Sequence, residues 1–100
     1  YDNMSGGAII MELCRYFQVH RPRRTMEFVW FGAEEKGLLG SQSYIKVHET
    51  ELPAHRFNMN VDLAGQLVGG TVVGVTGDAS VCNMITYMAH EIGIGMSTKN

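Results

Sequence analysis

The sequence predicts an α/β fold with three layers, α/β/α, built around a mixed and partly parallel sheet. Two observations predict it. Stretches with apolar residues at helical spacing alternate with short β-branched and aromatic runs, in the order α-β-α-β-β-α. The composition, 45% hydrophobic and 18% charged residues, is typical of a folded chain, and 100 residues suffice for one domain.

The first helix is predicted over residues 5–20. Ser5 is placed to cap its beginning, because a side-chain oxygen there can accept a hydrogen bond from a free backbone N–H. Pro22 predicts its end, since proline disfavours helical geometry in the residue before it. The apolar face of this helix consists of Ile9, Leu13, Tyr16 and Phe17.

Residues 25–31 predict the first strand, because they are aromatic and β-branched and are followed by Gly32. The strand is apolar on both faces near its end, which is typical of strands that are covered on both sides. A polar loop over residues 32–37 follows, and a second helix is predicted over residues 38–48.

The second half of the chain predicts two more strands and a helix. Residues 57–62 alternate between apolar and polar, and residues 71–76 are β-branched. The third helix is predicted over residues 79–92, with Asp78 as its cap. A sheet of three short strands has exposed edges, through which copies of the chain could associate.

The charge balance excludes some classes of partner. Eight Lys and Arg residues face ten Asp and Glu residues, so no basic field exists and we expect no nucleic-acid partner. The basic run at residues 21–24 is interpreted as a solvated turn rather than a phosphate site. No apolar stretch approaches the roughly 20 residues of a membrane helix, so we expect no membrane partner. Cys14 and Cys82 lie in helical stretches and are expected to be buried free thiols.

Four acidic residues are predicted to meet at one edge of the sheet. Glu34 and Glu35 follow the first strand, Asp62 ends the second, and Asp2 precedes the first helix. Ligands of open α/β sheets bind outside the carboxyl ends of the strands. Because four carboxylates in one place repel one another, they need a counter-charge, which a divalent metal supplies. The pattern indicates a two-metal hydrolase, in which one carboxylate bridges both ions.

Each acidic residue also has a plainer interpretation. Adjacent glutamates in a loop are commonly solvated surface. Asp62 is compatible with a turn or a helix cap, and Asp2 or Asn3 with a cap of the first helix. The combination favours the metal site, because apolar strands bring the acids to one end of the sheet.

Three segments carry a more specific signal. Residues 2–6 are DNMSG, residues 25–41 are TMEFVWFGAEEKGLLGS, and residues 60–62 are NVD. In this order and spacing they resemble the D-N-x-S-G, R-F-x-x-x-x-G-A-E-E-x-G-L-x-G-S and N-x-D motifs of the M28 zinc aminopeptidases, a family of co-catalytic metallopeptidases. The resemblance covers most of residues 1–65, and beyond them only the pattern of strand followed by helix agrees.

The resemblance implies a site with two zinc ions and an aminopeptidase that removes N-terminal residues of peptides. Asp2 would bridge the two ions, Glu35 would bind one and Asp62 the other. Glu34 would be the general base, taking a proton from the metal-bridging water. Zinc accepts carboxylate oxygen and lowers the pKa of bound water to about 7, so a neighbouring glutamate can pass its proton to the leaving amine.

The family also uses two histidine ligands, one before the D-N-x-S-G segment and one well after it. None of the histidines of this chain stands in such a context, and we interpret them as surface or structural: His20, His48, His55 and His90. Residues 1–100 are therefore expected to be a single partial domain, the central segment of a larger zinc-peptidase domain. With three carboxylates for two metals, the isolated chain is expected to bind zinc weakly and to be inactive.

Two other functions are compatible with the same residues. One is a non-catalytic peptidase-like module used for binding or structure. The other is a related carboxypeptidase or glutaminyl cyclase, although the cyclases use one zinc and a set that includes Asp2 favours the peptidase. Histidines at the two outer motif positions would distinguish the catalytic from the non-catalytic relative.

Overall fold

Helix α1 spans Met4–Val19 and confirms the first predicted helix. Its cap is Asn3 and not Ser5, because Asn3 Oδ1 accepts a hydrogen bond from the Gly6 backbone N–H at 3.1 Å. His20 ends the helix: its N–H donates to the Tyr16 carbonyl at 3.0 Å, and the two rings stack with centroids 4.3 Å apart. The helix therefore begins one residue before the predicted start and ends where Pro22 predicts.

This computed structural model describes residues 2–65 and 68–99. The chain divides into two units, residues 1–63 and residues 64–100. The first unit holds α1 and α2, and the second holds α3 and both strands. The prediction of a single partial domain stays a prediction.

Helix α2 spans Leu39–Val47 and confirms the second predicted helix. Tyr44, in its second half, contacts the Phe31 ring edge-on at 5.6 Å and donates a hydrogen bond to Glu27 Oε1 at 2.6 Å. These contacts fix α2 against the segment that precedes the loop over residues 32–37. A six-residue 3-10 helix, Glu49–Ala54, follows α2 and contains Pro53.

The strands predicted over residues 25–31 and 57–62 are not formed. Both segments are irregular, and neither joins a strand ladder within the described residues. Their composition satisfies strand propensity, but a strand also needs a neighbour whose backbone groups pair with its own. Residues 25–31 are instead held through side chains: Trp30 Nε1 donates to the Gly7 carbonyl at 3.2 Å.

The second unit is built from a strand, a helix and a second strand. Strand β1, Thr71–Gly74, confirms the predicted strand over residues 71–76 but is shorter, and β2, Met96–Lys99, was not predicted. They pair in parallel, with Thr71 opposite Met96. Helix α3, Ala79–Glu91, connects them and packs against β2. Its predicted cap is confirmed, since Asp78 Oδ1 accepts from the Ser80 N–H at 3.1 Å.

The α/β class is therefore confirmed and the sheet is parallel, but among the described residues it has two strands and not three. The layered α/β/α arrangement stays a prediction. Residues 96–99, sequence MSTK, have a weak strand signal, because only Thr98 is β-branched. Their pairing follows from the return of the chain after α3, a long-range feature that local composition does not encode.

Few side chains are buried. The buried hydrophobic residues of the described chain are Val75 and Ala89, both in the second unit, and Gly6 is buried in the first. Cys14 and Cys82 are free, as predicted, but half-buried rather than buried. No helix within the described ranges is long and apolar enough to cross a membrane. Because little apolar surface is removed from water, hydrogen bonds and close backbone contacts are needed to position the acidic residues.

Candidate functional site

Glu34 and Glu35 lie in a tight turn between residues 32 and 40. A 3-10 turn, Glu34–Lys36, carries both side chains. The Glu34 carbonyl accepts hydrogen bonds from the Gly37 N–H at 3.1 Å and the Leu38 N–H at 2.9 Å. The Gly40 N–H closes the base of the turn by donating to the Gly32 carbonyl at 3.1 Å. The two glutamates thus stand on a short backbone segment that is fixed at both ends.

Two non-glycine residues with left-handed backbone flank this turn. Ala33 precedes the glutamates with a φ of 57°, and Leu38 follows them with a φ of 60°. Side-chain-bearing residues adopt this conformation at a cost of roughly 1–2 kcal/mol each. Such strain is frequent where a backbone must present functional groups. The two positions therefore support a functional interpretation of the turn over a plain surface loop.

Asp2 and Asp62 are brought together by the residue that follows Asp2. Asn3 Nδ2 donates to the Val61 carbonyl at 2.8 Å, and Asn3 Oδ1 accepts from the Leu63 N–H at 3.0 Å. These bonds are made to the two neighbours of Asp62 in sequence. The beginning of α1 and residues 61–63 are therefore directly joined, although about 60 residues separate them.

The charges of the other three predicted acids act on Glu34. The pKa of Glu34 is raised above its usual value, chiefly by the negative charge of Glu35 and next by partial loss of hydration. The charges of Asp62 and Asp2 raise it further, followed by a hydrogen bond with Glu35. Glu34 is therefore within reach of the charges of Glu35, Asp62 and Asp2, and the assignment of the four residues to one metal site stays a prediction.

The donor set of this acidic cluster (Asp2, Glu34, Glu35 and Asp62) suits a divalent cation. All four side chains offer carboxylate oxygens, and their mutual repulsion favours a bound positive charge. Their spacing is wider than a closed metal site, since no group of three or more His, Cys, Asp or Glu side chains in the described ranges is arranged to hold a metal. Carboxylate oxygen is a donor that zinc accepts, but the described residues do not form a closed metal site.

The histidines of the first unit make contacts with their own local neighbours. His20 stacks on Tyr16, His48 Nδ1 lies 3.0 Å from Glu51 Oε2, and His55 Nδ1 lies 3.2 Å from the Glu51 carbonyl. His90 lies in the last turn of α3. The structure thus gives each a local position that agrees with the surface or structural interpretation.

A groove of about 440 Å³ lies away from the acids, at the end of α1. Three arginines contribute to its wall, Arg21, Arg23 and Arg24. It contains none of the four acidic residues. The interpretation of this basic run as a solvated turn stays a prediction.

Asn3 is the residue whose importance the sequence did not indicate. Its expected function was at most to cap α1, whereas its side chain uses both of its polar atoms and makes three hydrogen bonds. The sequence offers one signal of this role. Asn3 lies directly between an acidic residue and the start of a helix, and an amide side chain can donate and accept hydrogen bonds at the same time.

Replacing Glu34 with glutamine is expected to stabilise the metal-free chain at pH 7. A pKa raised in the folded state means that folding favours the protonated carboxyl, so stability falls as the pH rises through the folded pKa. Glutamine does not ionise, so the variant avoids that loss of stability. The gain in stability over the unaltered chain should vanish at a pH below the ordinary carboxyl pKa of about 4.3. Urea unfolding followed by the fluorescence of Trp30, the only tryptophan, measures the effect at both pH values.

Glu12 provides a control of opposite sign. Arg15 lies 2.6 Å from Glu12 on the surface of α1 and lowers the pKa of that carboxyl, mainly through a hydrogen bond. A carboxyl with a lowered pKa stabilises the fold above its unfolded pKa, and this contribution is lost as the pH falls. Glu12→Gln should therefore weaken the fold at pH 7. Equal shifts for both variants would contradict the mutual repulsion of the acidic cluster.

Comparison with known proteins identifies relatives. The sequence model of peptidase family M28 matches residues 1–98. An aminopeptidase of Bacillus subtilis (strain 168), YwaD, is 38% identical over 65 residues, which are 64% of this chain and 14% of that protein. A probable leucine aminopeptidase of Arthroderma otae is 36% identical over 70 residues, which are 64% of this chain and 19% of that protein.

A third relative carries a metal in its description. A probable zinc metalloprotease of Pyrenophora tritici-repentis is 34% identical over 64 residues, which are 64% of this chain and 15% of that protein. The chain thus spans between 14% and 19% of the length of these relatives. No solved structure matches it.

Proposed function

This chain belongs to peptidase family M28, and on that premise we propose that it carries the acidic residues of a zinc-dependent aminopeptidase. The observation that carries the proposal is the proximity of Glu35, Asp62 and Asp2 to Glu34, whose pKa their three charges raise. The similarity to proteins described as aminopeptidases and as a zinc metalloprotease supports the same conclusion. The substrate class is the peptide with a free N-terminus.

Asp2, Glu35 and Asp62 are the proposed metal ligands. Each presents a hard oxygen donor, and each belongs to a segment that is fixed by backbone or amide hydrogen bonds. Two zinc ions would neutralise the repulsion within the acidic cluster and, when bound, act as Lewis acids. Two ions need more ligands than three carboxylates supply, so weak zinc binding is expected of residues 1–100 alone.

Glu34 is the proposed general base. A carboxylate whose pKa is raised holds a proton more readily, which suits a group that must take a proton from the attacking water and then release it to the leaving amine. Glu34 begins the 3-10 turn and Glu35 is its next residue, so one backbone turn can hold a proton carrier beside a ligand. This division of labour gives two adjacent carboxylates different functions.

A graft tests the proposal in a complete enzyme. Residues 2–65 contain all four acids and would replace the matching segment of the Bacillus subtilis aminopeptidase. We expect the graft to hydrolyse leucine 4-nitroanilide, to lose this activity on chelation, and to regain it with zinc. The isolated chain, assayed in parallel with added zinc, should be inactive.

Folding must be separated from function in this experiment. Circular dichroism of the graft and of the unaltered host shows whether the grafted segment folds. A graft that folds like the host and releases no 4-nitroaniline at saturating zinc would refute the proposed function.

A further inference from the structure

We propose that Asn3 is a positioning residue that holds Asp2 beside Asp62 and so sets the affinity of the site for zinc. The inference rests on the proposed zinc site and names the group that assembles it. Asp2 and Asp62 are about 60 residues apart in sequence and carry like charges, which oppose the approach of their two segments.

The tie consists of the hydrogen bonds that the Asn3 side chain makes to residues 61–63 and to Gly6. The Asn3 amide donates to the Val61 carbonyl at 2.8 Å and accepts from the Leu63 N–H at 3.0 Å, which fixes the backbone on both sides of Asp62. The same Oδ1 accepts from the Gly6 N–H at 3.1 Å, which fixes Asn3 to the first turn of α1. Because Asp2 is the preceding residue, one side chain determines where both candidate ligands stand.

Only an amide of this length makes all three bonds. Asp lacks the donor for the Val61 carbonyl, and Gln is longer by one methylene. Ser has an oxygen that can cap a helix, but its shorter side chain does not span to residues 61–63. Asn3→Ser therefore separates the two functions of Asn3, because it retains a cap and removes the tie.

The backbone of Gly6 makes the tie sterically possible. A Cβ at that position would lie 2.6 Å from Asn3 Nδ2 and 2.7 Å from Asn3 Oδ1, closer than real Cβ atoms approach. It would also collide with the Val61 carbonyl. The amide thus occupies a space that exists only because residue 6 is glycine.

The test compares zinc titrations of the full chain and of Asn3→Ser and Asn3→Ala, with Zn²⁺ alone as the probe. Amide chemical shifts of residues 2–3, 34–35 and 61–63 report binding into the millimolar range. We expect both variants to bind zinc about tenfold more weakly or worse, as loss of a group that orients a ligand typically does. Hydrogen exchange of Asn3→Ser should show a Gly6 amide that stays protected and a Leu63 amide that exchanges faster than in the unaltered chain.

A second cap serves as the control. Asp78→Ala removes the cap of α3 and should leave the zinc affinity unchanged, because it only weakens a helix of the second unit. Equal zinc affinities of the full chain and Asn3→Ser would overturn the positioning role and leave the proposed metal site intact. A full chain without zinc-dependent shifts at the acidic cluster would overturn the metal site itself, and the positioning role with it.

Discussion

Glu34→Gln in the grafted aminopeptidase is expected to lower kcat by about 10²–10⁴-fold, the usual contribution of a positioned general base. Glutamine keeps the shape of the side chain and cannot accept the proton of the attacking water. KM should change little, because the role assigned to Glu34 is proton transfer rather than substrate binding. Steady-state hydrolysis of leucine 4-nitroanilide, with zinc content measured on the same samples, checks both statements.

A comparison with Glu35, the neighbouring glutamate, distinguishes a general base from a metal ligand. Glu35→Gln should reduce the zinc content of the graft, whereas Glu34→Gln should retain it. Glu12→Gln makes the same change of charge on the surface of α1, where Glu12 pairs with Arg15, and should leave kcat unchanged. Retention of more than about a tenth of kcat in a zinc-loaded Glu34→Gln graft is incompatible with a general base.

The helices could be predicted from the sequence because their signals are local. Apolar spacing gave the three helical segments to within a residue or two, and Pro22 and Asp78 marked an end and a beginning correctly. The cap of α1 was placed at Ser5, with Asp2 or Asn3 as alternatives, and it is Asn3. Serine and asparagine both cap helices, and the hydrogen bond from the Gly6 N–H to Asn3 Oδ1 distinguishes them.

The strands were predicted less well because pairing is not local. Residues 71–76 and 96–99 show both kinds of error, since the first segment was predicted too long and the second was missed. Residues 25–31 and 57–62 have strand composition without strand partners among the described residues. Composition indicates which segments tolerate extended backbone, and only the fold decides which of them pair.

The acidic cluster was predicted from the topology of a sheet, whereas in the structure other features position its residues. The sequence placed the acids at the carboxyl ends of two strands, but those strands are not formed. The acids are gathered instead by the turn around Glu34 and by the hydrogen bonds of Asn3. The assignment of these acids to one metal site stays a prediction, whereas the hydrogen bonds that position Asp2 and Asp62 were visible only in the structure.

Gly6→Ala is expected to lower the free energy of unfolding of the first unit by about 2 kcal/mol, within the range for overpacking a closed contact. The added methyl group would meet the Val61 carbonyl and both polar atoms of the Asn3 amide, none of which can move without breaking the tie to residues 61–63. The intrinsic preference of helices for alanine, about 1 kcal/mol over glycine, offsets only part of this cost. Urea unfolding followed by Trp30 fluorescence measures the change.

Gly7 supplies a matched control in the same turn of α1. A Cβ on Gly7 would lie 3.6 Å from Trp30 Cδ1 and Nε1, an ordinary van der Waals distance. Gly7→Ala should therefore be neutral or stabilise the unit by up to about 1 kcal/mol, through helix propensity alone. Zinc titration should distinguish the variants as well. We expect the zinc affinity of Gly6→Ala to fall like that of Asn3→Ser, and the zinc affinity of Gly7→Ala to be unchanged. If the two alanine variants unfold at the same urea concentration, the close contact between α1 and residues 61–63 is not a feature of the chain in solution.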